Sequence, residues 1–120
     1  MFRNLRLVYV TTKNREEAVQ IGTKIVEERL AACANILDGM NSIYRWNDGI
    51  ETAEEAVLVL KTTYSNVAKL TKRVKELHSY EVPCVVSLNI AEQEGNPEYL
   101  NWIRDSVRKP LPQDEDLRTD

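Results

Sequence analysis

The chain has very few histidines and cysteines, the side chains that most often bind transition metals or act as nucleophile and base. Its 120 residues include one histidine, His78, and two cysteines, Cys33 and Cys84. The motifs CxxC, HExxH, GxGxxG and GxxxxGK[ST] do not occur in it, which removes the motif-based case for structural zinc, metalloprotease, dinucleotide and P-loop functions. A catalytic triad or a Cys/His pair would have to use His78, and nothing in the sequence gives Ser79 or Cys84 the required geometry. We therefore expect no enzymatic activity.

A strong excess of one charge is also lacking. There are 16 basic and 19 acidic residues, so the formal net charge is only -3, and we expect neither nucleic acid nor a membrane as a partner. Charged residues appear near the start before the apolar core of a signal peptide could form. The two cysteines could form one disulfide, but these features favour a cytoplasmic, reduced protein with both thiols free.

Alternating strand-like and helix-like patterns run through the chain. A β-rich segment at 5–12 precedes Asn14 and Glu17, which form a capping box at the start of a helix. A strand at 32–46 is interrupted at Asp38-Gly39, where glycine indicates a bulge or bend. Ser65 is predicted to cap a second helix, and Asn96 followed by proline opens a third. The predicted elements are strand 5–12, helix 15–30, strand 32–46, turn 47–49, strand 50–63, helix 65–77, strand 82–90 and helix 97–106.

This order predicts an α+β fold, the ferredoxin-like β-α-β-β-α-β sandwich, with a long hairpin between the second and third strands and a short C-terminal helix. Residues 1–108 form the single domain, and the polar tail 109–120 is predicted to be disordered. The hairpin strands are about twice the usual length, so an arm carrying Ile43, Tyr44 and Trp46 projects past the helices. Aromatics beside a bare strand edge indicate a homo-oligomer with strand pairing between subunits.

His78 and Cys84 are the two soft or borderline metal ligands of one short segment, LHSYEVPCV. Imidazole and thiolate suit copper or zinc. Two ligands are fewer than a stable site normally uses, however, and an extended chain could hold them up to roughly 20 Å apart. The alternative is that His78 caps the C-terminus of the second helix and that Cys84 is a core residue of the following strand.

Five segments together resemble the divalent-cation-tolerance protein CutA family, in one order and at compatible spacings across roughly residues 5–106. They are EERLAACANI (27–36), SIYRW (42–46), LVLKTT (58–63), KELHSYEVPCV (75–85) and NPEYLNWI (96–103). The resemblance implies a ferredoxin-like homotrimer whose long hairpins pair across subunits, with Tyr44, Arg45 and Trp46 at the trimer interface. It also implies a part in tolerance of divalent metals, copper above all, with no established reaction and no required cofactor.

The family's H-P-Y-x-x-P-E segment aligns with residues 78–84. His78 matches the family's histidine, whereas Ser79 replaces a proline and Cys84 replaces a glutamate that has been proposed as a metal ligand. The family's cysteine near the end of the first strand is absent, and Thr11 and Thr12 lie there. The resemblance therefore implies His78 and Cys84 as candidate ligands for copper or zinc. The exchange at Cys84 either makes the ligand softer or marks loss of the metal role.

Two other functions fit the same fold. One is a regulatory trimer similar to the PII signalling proteins, which bind small effectors between subunits, although the tight turn 47–49 differs from the long mobile loop of those regulators. The other is an enzyme resembling acylphosphatase, for which Lys13 after the first strand is the main candidate. Fold analogy alone does not decide among them.

Overall fold

The computed structural model describes residues 3–108, which form one four-stranded sheet and three helices. All strand pairs are antiparallel, and the strand order is β2-β3-β1-β4. The α+β class predicted from the sequence is confirmed. The elements are β1 Leu5–Thr12, α1 Arg15–Glu27, β2 Cys33–Trp46, β3 Gly49–Thr63, α2 Tyr64–Leu77, β4 Val85–Asn89 and α3 Pro97–Val107.

The main core lies between the sheet and helices α1 and α2. Alternate residues of β1, among them Val8 and Val10, are fully buried against apolar residues of both helices, such as Ile21 and Leu70. This follows from the period of two in a strand and of 3.6 in a helix. A second cluster lies under α3 and contains Leu5, Ala32, Leu100, Ile103 and Val107.

The hairpin of β2 and β3 is as long as the sequence predicts, with strands of 14 and 15 residues. Its register shifts between Leu37 and Met40, and Gly39 takes a φ of +73° there, which confirms the bulge predicted at Asp38-Gly39. At the tip, Asn47 and Asp48 take φ of 48° and 62°. Two successive positive φ values are what a two-residue hairpin turn requires.

Helix α1 ends at Glu27, so the predicted end at Leu30 was three residues too late. The Leu30 amide donates to the Ile25 carbonyl and the Arg29 amide to the Val26 carbonyl, both at 3.0 Å. Arg29 has a φ of 60°. These bonds form a Schellman motif, which normally uses glycine at the left-handed position. Because arginine occupies it here, the sequence carries no stop signal.

Helix α2 begins one residue before the predicted cap. Its N-cap is Thr63, which makes no side-chain capping bond, so the prediction of Ser65 as N-cap was wrong. Strand β3 runs directly into the helix, which leaves Ser65 inside the first turn. The Ser65 hydroxyl lies 3.2 Å from the hydroxyl of Thr63.

Strand β4 is shorter than the predicted 82–90. Its pairing with β1 ends at Val10 and Val85, and the carbonyl of the next β1 residue, Thr11, is bonded to the His78 ring. Cys84 therefore precedes the strand instead of lying within it. Helix α3 has the predicted Asn96 cap, whose side chain accepts a bond from the Glu98 amide at 3.0 Å. The tail predicted to be disordered, 109–120, lies outside the described residues.

Candidate functional site

His78 lies at the C-cap of α2 with its side chain fully buried. Its Nε2 is 2.8 Å from the carbonyl oxygen of Thr11, and its Nδ1 is 3.0 Å from the amide nitrogen of Tyr80. A carbonyl can only accept and an amide can only donate, so the proton is on Nε2 and the lone pair is on Nδ1. Both ring nitrogens are thus occupied by backbone groups, and the ring joins the end of β1 to the segment after α2.

Glu17 is buried beside this ring. Its Oε1 lies 3.9 Å from His78 Nδ1 and accepts a bond from the Lys13 amide, while its Oε2 accepts from the Ser79 amide at 2.9 Å. Burial opposes ionisation of the carboxyl, but hydrogen bonds from Ser79 and Lys13 favour it more strongly, and the pKa of Glu17 is lowered. Glu17 therefore holds the segment after His78 against the start of α1 as a carboxylate.

Tyr80 continues the network toward the hairpin. Its ring packs on that of His78, with centroids 4.8 Å apart, and its hydroxyl donates to Glu55 Oε2 at 2.8 Å. Burial and the bond to the Glu55 carboxylate both favour the neutral phenol, so the pKa of Tyr80 is raised. The imidazole is thereby coupled to β3 at the base of the arm.

The two sequence-predicted ligands do not form a ready metal site within one chain. Cys84 is half-buried with a free thiol, and residues 3–108 contain no group of three or more His, Cys, Asp or Glu side chains that could hold a metal ion. At His78 only Nδ1 has a lone pair, and a metal there would have to displace the Tyr80 amide. Residues 3–108 of one chain therefore provide no preformed metal cage.

The predicted interface residues lie together at the end of the arm. Tyr44, Arg45 and Trp46 pair with Glu51, Ile50 and Gly49, and Trp46 is 61% exposed. Farther down the hairpin, apolar side chains also line the sheet face opposite α1 and α2, which we call the open face. Its exposed or half-exposed members include Tyr9, Leu37, Val59, Val86 and Leu88.

Three members of the network escaped the sequence analysis as site residues, namely Glu17, Tyr80 and Glu55. The sequence predicts Glu17 as a capping residue, and the carboxylate does bond near the helix start, at Lys13. Its second oxygen bonds to Ser79, 62 positions away. A capping pattern contains no information about such a distant partner. Glu17 is only 6% exposed although it lies in the first turn of a helix. Only the folded chain therefore shows that it is a buried site residue.

No helix in the described part of the chain is long and apolar enough to cross a membrane. Residues 6–106 match the family model of the CutA1 divalent ion tolerance protein. The divalent-cation tolerance protein CutA of Thermus thermophilus is 48% identical over 101 residues, covering 84% of this chain and 96% of the relative. The chloroplastic CutA 1 protein of Oryza sativa is 41% identical over 103 residues, covering 86% of this chain and 57% of that longer protein.

The three-dimensional comparison agrees with the sequence comparison. The solved structure of the divalent cation tolerance protein CutA1 from Thermus thermophilus superposes with a TM-score of 0.81 at 47% sequence identity, over 85% of this chain and 97% of that one. These matches do not favour a PII-like regulator, and they support a role in divalent cation tolerance. The chain belongs to the CutA1 divalent ion tolerance family.

Proposed function

We propose that this protein is a cytoplasmic, ferredoxin-like homotrimer that acts in tolerance of divalent metals, copper above all, and that it binds a soft metal weakly through His78. The observation that carries the proposal is family membership over residues 6–106. The lone pair of His78 Nδ1, with the Glu17 carboxylate 3.9 Å away, supplies one candidate attachment point. Further ligands, Cys84 among them, would come from rearrangement of residues 79–84 or from a neighbouring subunit.

Self-association is supported by the amount of apolar surface that the described chain exposes. Val86 and Leu88 on the open face are 47% and 49% exposed, and Ile43 on the arm is 75% exposed. Exposed apolar side chains on a sheet face and on a projecting arm are typical of subunit interfaces. We propose that Tyr44, Arg45 and Trp46 lie in that interface.

Neither catalysis nor a nucleic-acid or membrane partner is part of this proposal. The proposed partners are other copies of the chain and metal ions. No cofactor is required, and copper(I) or zinc is the metal that the His78 and Cys84 donor types suit.

The metal proposal is tested by titrating the purified protein with copper(I) and with zinc. His78→Gln is the informative variant, because a glutamine amide can still donate to the Thr11 carbonyl. We expect His78→Gln and Cys84→Ser each to weaken copper(I) binding at least about tenfold, whereas the control Cys33→Ser binds like the original protein. Unchanged affinity in both His78→Gln and Cys84→Ser would overturn the assignment.

The oligomer proposal is tested by light scattering of the original protein and of Trp46→Glu. We expect a trimer mass for the original chain and a smaller mass for the variant, because a buried carboxylate without a partner opposes assembly. Glu51→Gln, on the neighbouring arm strand, is the control for a change of charge. A monomeric mass of the original protein would contradict the proposal.

A further inference from the structure

A cleft of about 510 Å³ opens at the end of the sheet far from the arm. The residues that line it come from the start of α2, the end of α3 and the segment before β1. Four of them are cationic, and none is acidic: Arg3, Lys69, Arg104 and Arg108. A chain with an overall negative charge has therefore placed four basic side chains around one concave surface.

Two of the four cations form ion pairs within the described residues, and two do not. Arg3 is paired with Glu92 at 3.4 Å, and Arg104 donates to Asp105 at 2.9 Å. For Lys69 and Arg108, residues 3–108 provide no acidic partner within ion-pair distance. Arg3 makes a second contact as well, since its Nε donates to Asn101 Oδ1 at 2.6 Å. The two contacts together fix the position of its guanidinium. The cleft is thus lined by an excess of positive charge, and the Arg3 guanidinium is held in place by two side chains.

Neutral donors supplement these charges. Ser65 and Asn66 are the second and third residues of α2, where amides have no partner within a helix, and the N-cap Thr63 leaves them uncapped. Both residues line the cleft. The Tyr64 amide is already bonded to the Asn4 carbonyl at 2.6 Å. The Ser65 and Asn66 amides, the Ser65 hydroxyl and the cationic side chains all belong to residues that line the cleft, so its lining is rich in hydrogen-bond donors.

We propose that this cleft binds the phosphate group of a small soluble molecule. Tetrahedral phosphate accepts several hydrogen bonds at once and favours arginine, lysine and backbone amides together. The volume exceeds that of one phosphate and falls within the range of small-molecule sites, so the rest of the ligand has room. The cleft lies near Leu5 whereas the His78 network lies at Thr11, about 20 Å along β1. The two sites are therefore separable by mutation.

The test is a calorimetric titration with pyrophosphate and with ADP at constant ionic strength. We expect a Kd of about 1 mM or tighter for at least one of them, and a weakening of about tenfold in Lys69→Gln and in Arg108→Gln. Lys75→Gln is the matched control, since it removes the same charge from the last turn of the same helix. Tighter binding of ADP than of pyrophosphate indicates an organic phosphate as the ligand, and the reverse indicates an inorganic one.

Three results would overturn the proposal. They are no heat of binding with either compound, an equal loss of affinity in Lys69→Gln and Lys75→Gln, and equally tight binding of the dicarboxylate succinate. Because His78→Gln leaves this cleft untouched, its phosphate binding should match that of the original protein. Unaltered folding of each variant is verified by circular dichroism before titration.

Discussion

The Nε2 atom of His78 lies 2.8 Å from the carbonyl oxygen of Thr11, a residue 67 positions earlier in the chain. The bond lies one residue beyond Val10, where the pairing of β1 with β4 ends. It also fixes the tautomer of the ring, so that Nδ1 accepts the Tyr80 amide. The only histidine of the chain thus organises the junction of β1, α1 and α2, which gives it a structural role whether or not it binds a metal.

Replacing His78 with alanine should destabilise the protein substantially. The change removes a buried ring and leaves the Thr11 carbonyl and the Tyr80 amide without partners, so we expect the free energy of unfolding to fall by about 2–3 kcal/mol. His78→Gln should lose less, because its amide can bond to Thr11. Urea denaturation at a fixed protein concentration measures both values. Equal losses in the two variants would contradict the role of the Thr11 bond.

Glu17 should make the protein sensitive to acid. Its pKa in the folded state is lowered from 4.5, so the stability that it contributes is present above the unfolded value and is lost as the pH falls through the folded value. We expect Glu17→Gln to be less stable than the original protein at pH 7 and to show a flatter decline between pH 5 and 3. The control is Glu16→Gln, which changes an exposed neighbour. The measurement is urea denaturation across that pH range.

The Tyr80 phenol should make the stability of the protein depend on pH in the alkaline range. Its folded pKa is raised above 10.0, so its contribution to stability is present below pH 10 and is lost as the pH rises through the folded value. We expect Tyr80 to ionise at a higher pH than free tyrosine, as followed by ultraviolet absorbance. Tyr80→Phe should lower the free energy of unfolding by about 1 kcal/mol at pH 7, with Tyr64→Phe as the neutral control. An unchanged alkaline absorbance curve in Tyr80→Phe, apart from its amplitude, would argue against this assignment.

Substitutions at Gly39 test whether the bulge in the hairpin requires a left-handed backbone conformation. Its φ is +73°, and a Cβ built on it would meet no atom within 4 Å, so only backbone strain opposes a side chain. We expect Gly39→Ala to cost about 1 kcal/mol and Gly39→Asn less, because asparagine tolerates the left-handed region. Thermal and urea denaturation measure the difference. A cost that follows side-chain size instead of left-handed preference would disprove the backbone explanation.

Much of the fold was predictable because its signals are local. The Asn14 and Asn96 caps, the Asp38-Gly39 bulge and the hairpin turn depend on residues a few positions apart. The caps and the bulge lie where the sequence predicts, and the turn lies there too but is shorter than 47–49, because Gly49 already belongs to β3. The errors at Leu30 and Ser65 have the opposite cause. No residue type signals either feature. Helix α1 ends in a Schellman motif with arginine in place of glycine, and β3 passes directly into α2 without a capping side chain.

The site was predictable only in part for the same reason. His78 was singled out as a rare ligand type and through its family segment. Its actual partners, Thr11 and Glu17, are brought to it by the packing of β1 and α1 against the end of α2. The basic cleft was missed altogether, since Arg3, Lys69 and Arg104 are scattered in sequence and form one surface only at the end of the folded sheet.

The sequence by itself determined the order of elements, the long hairpin, the small number of candidate ligands and the family segments. Periodicity, caps and motifs depend only on residues that are close together in the chain. Only the tertiary structure decided that both nitrogens of His78 are occupied, that Glu17 is a buried carboxylate beside it, and that Cys84 lies ahead of β4. Those facts depend on contacts between residues more than sixty positions apart, and such contacts form only when the sheet and helices pack together.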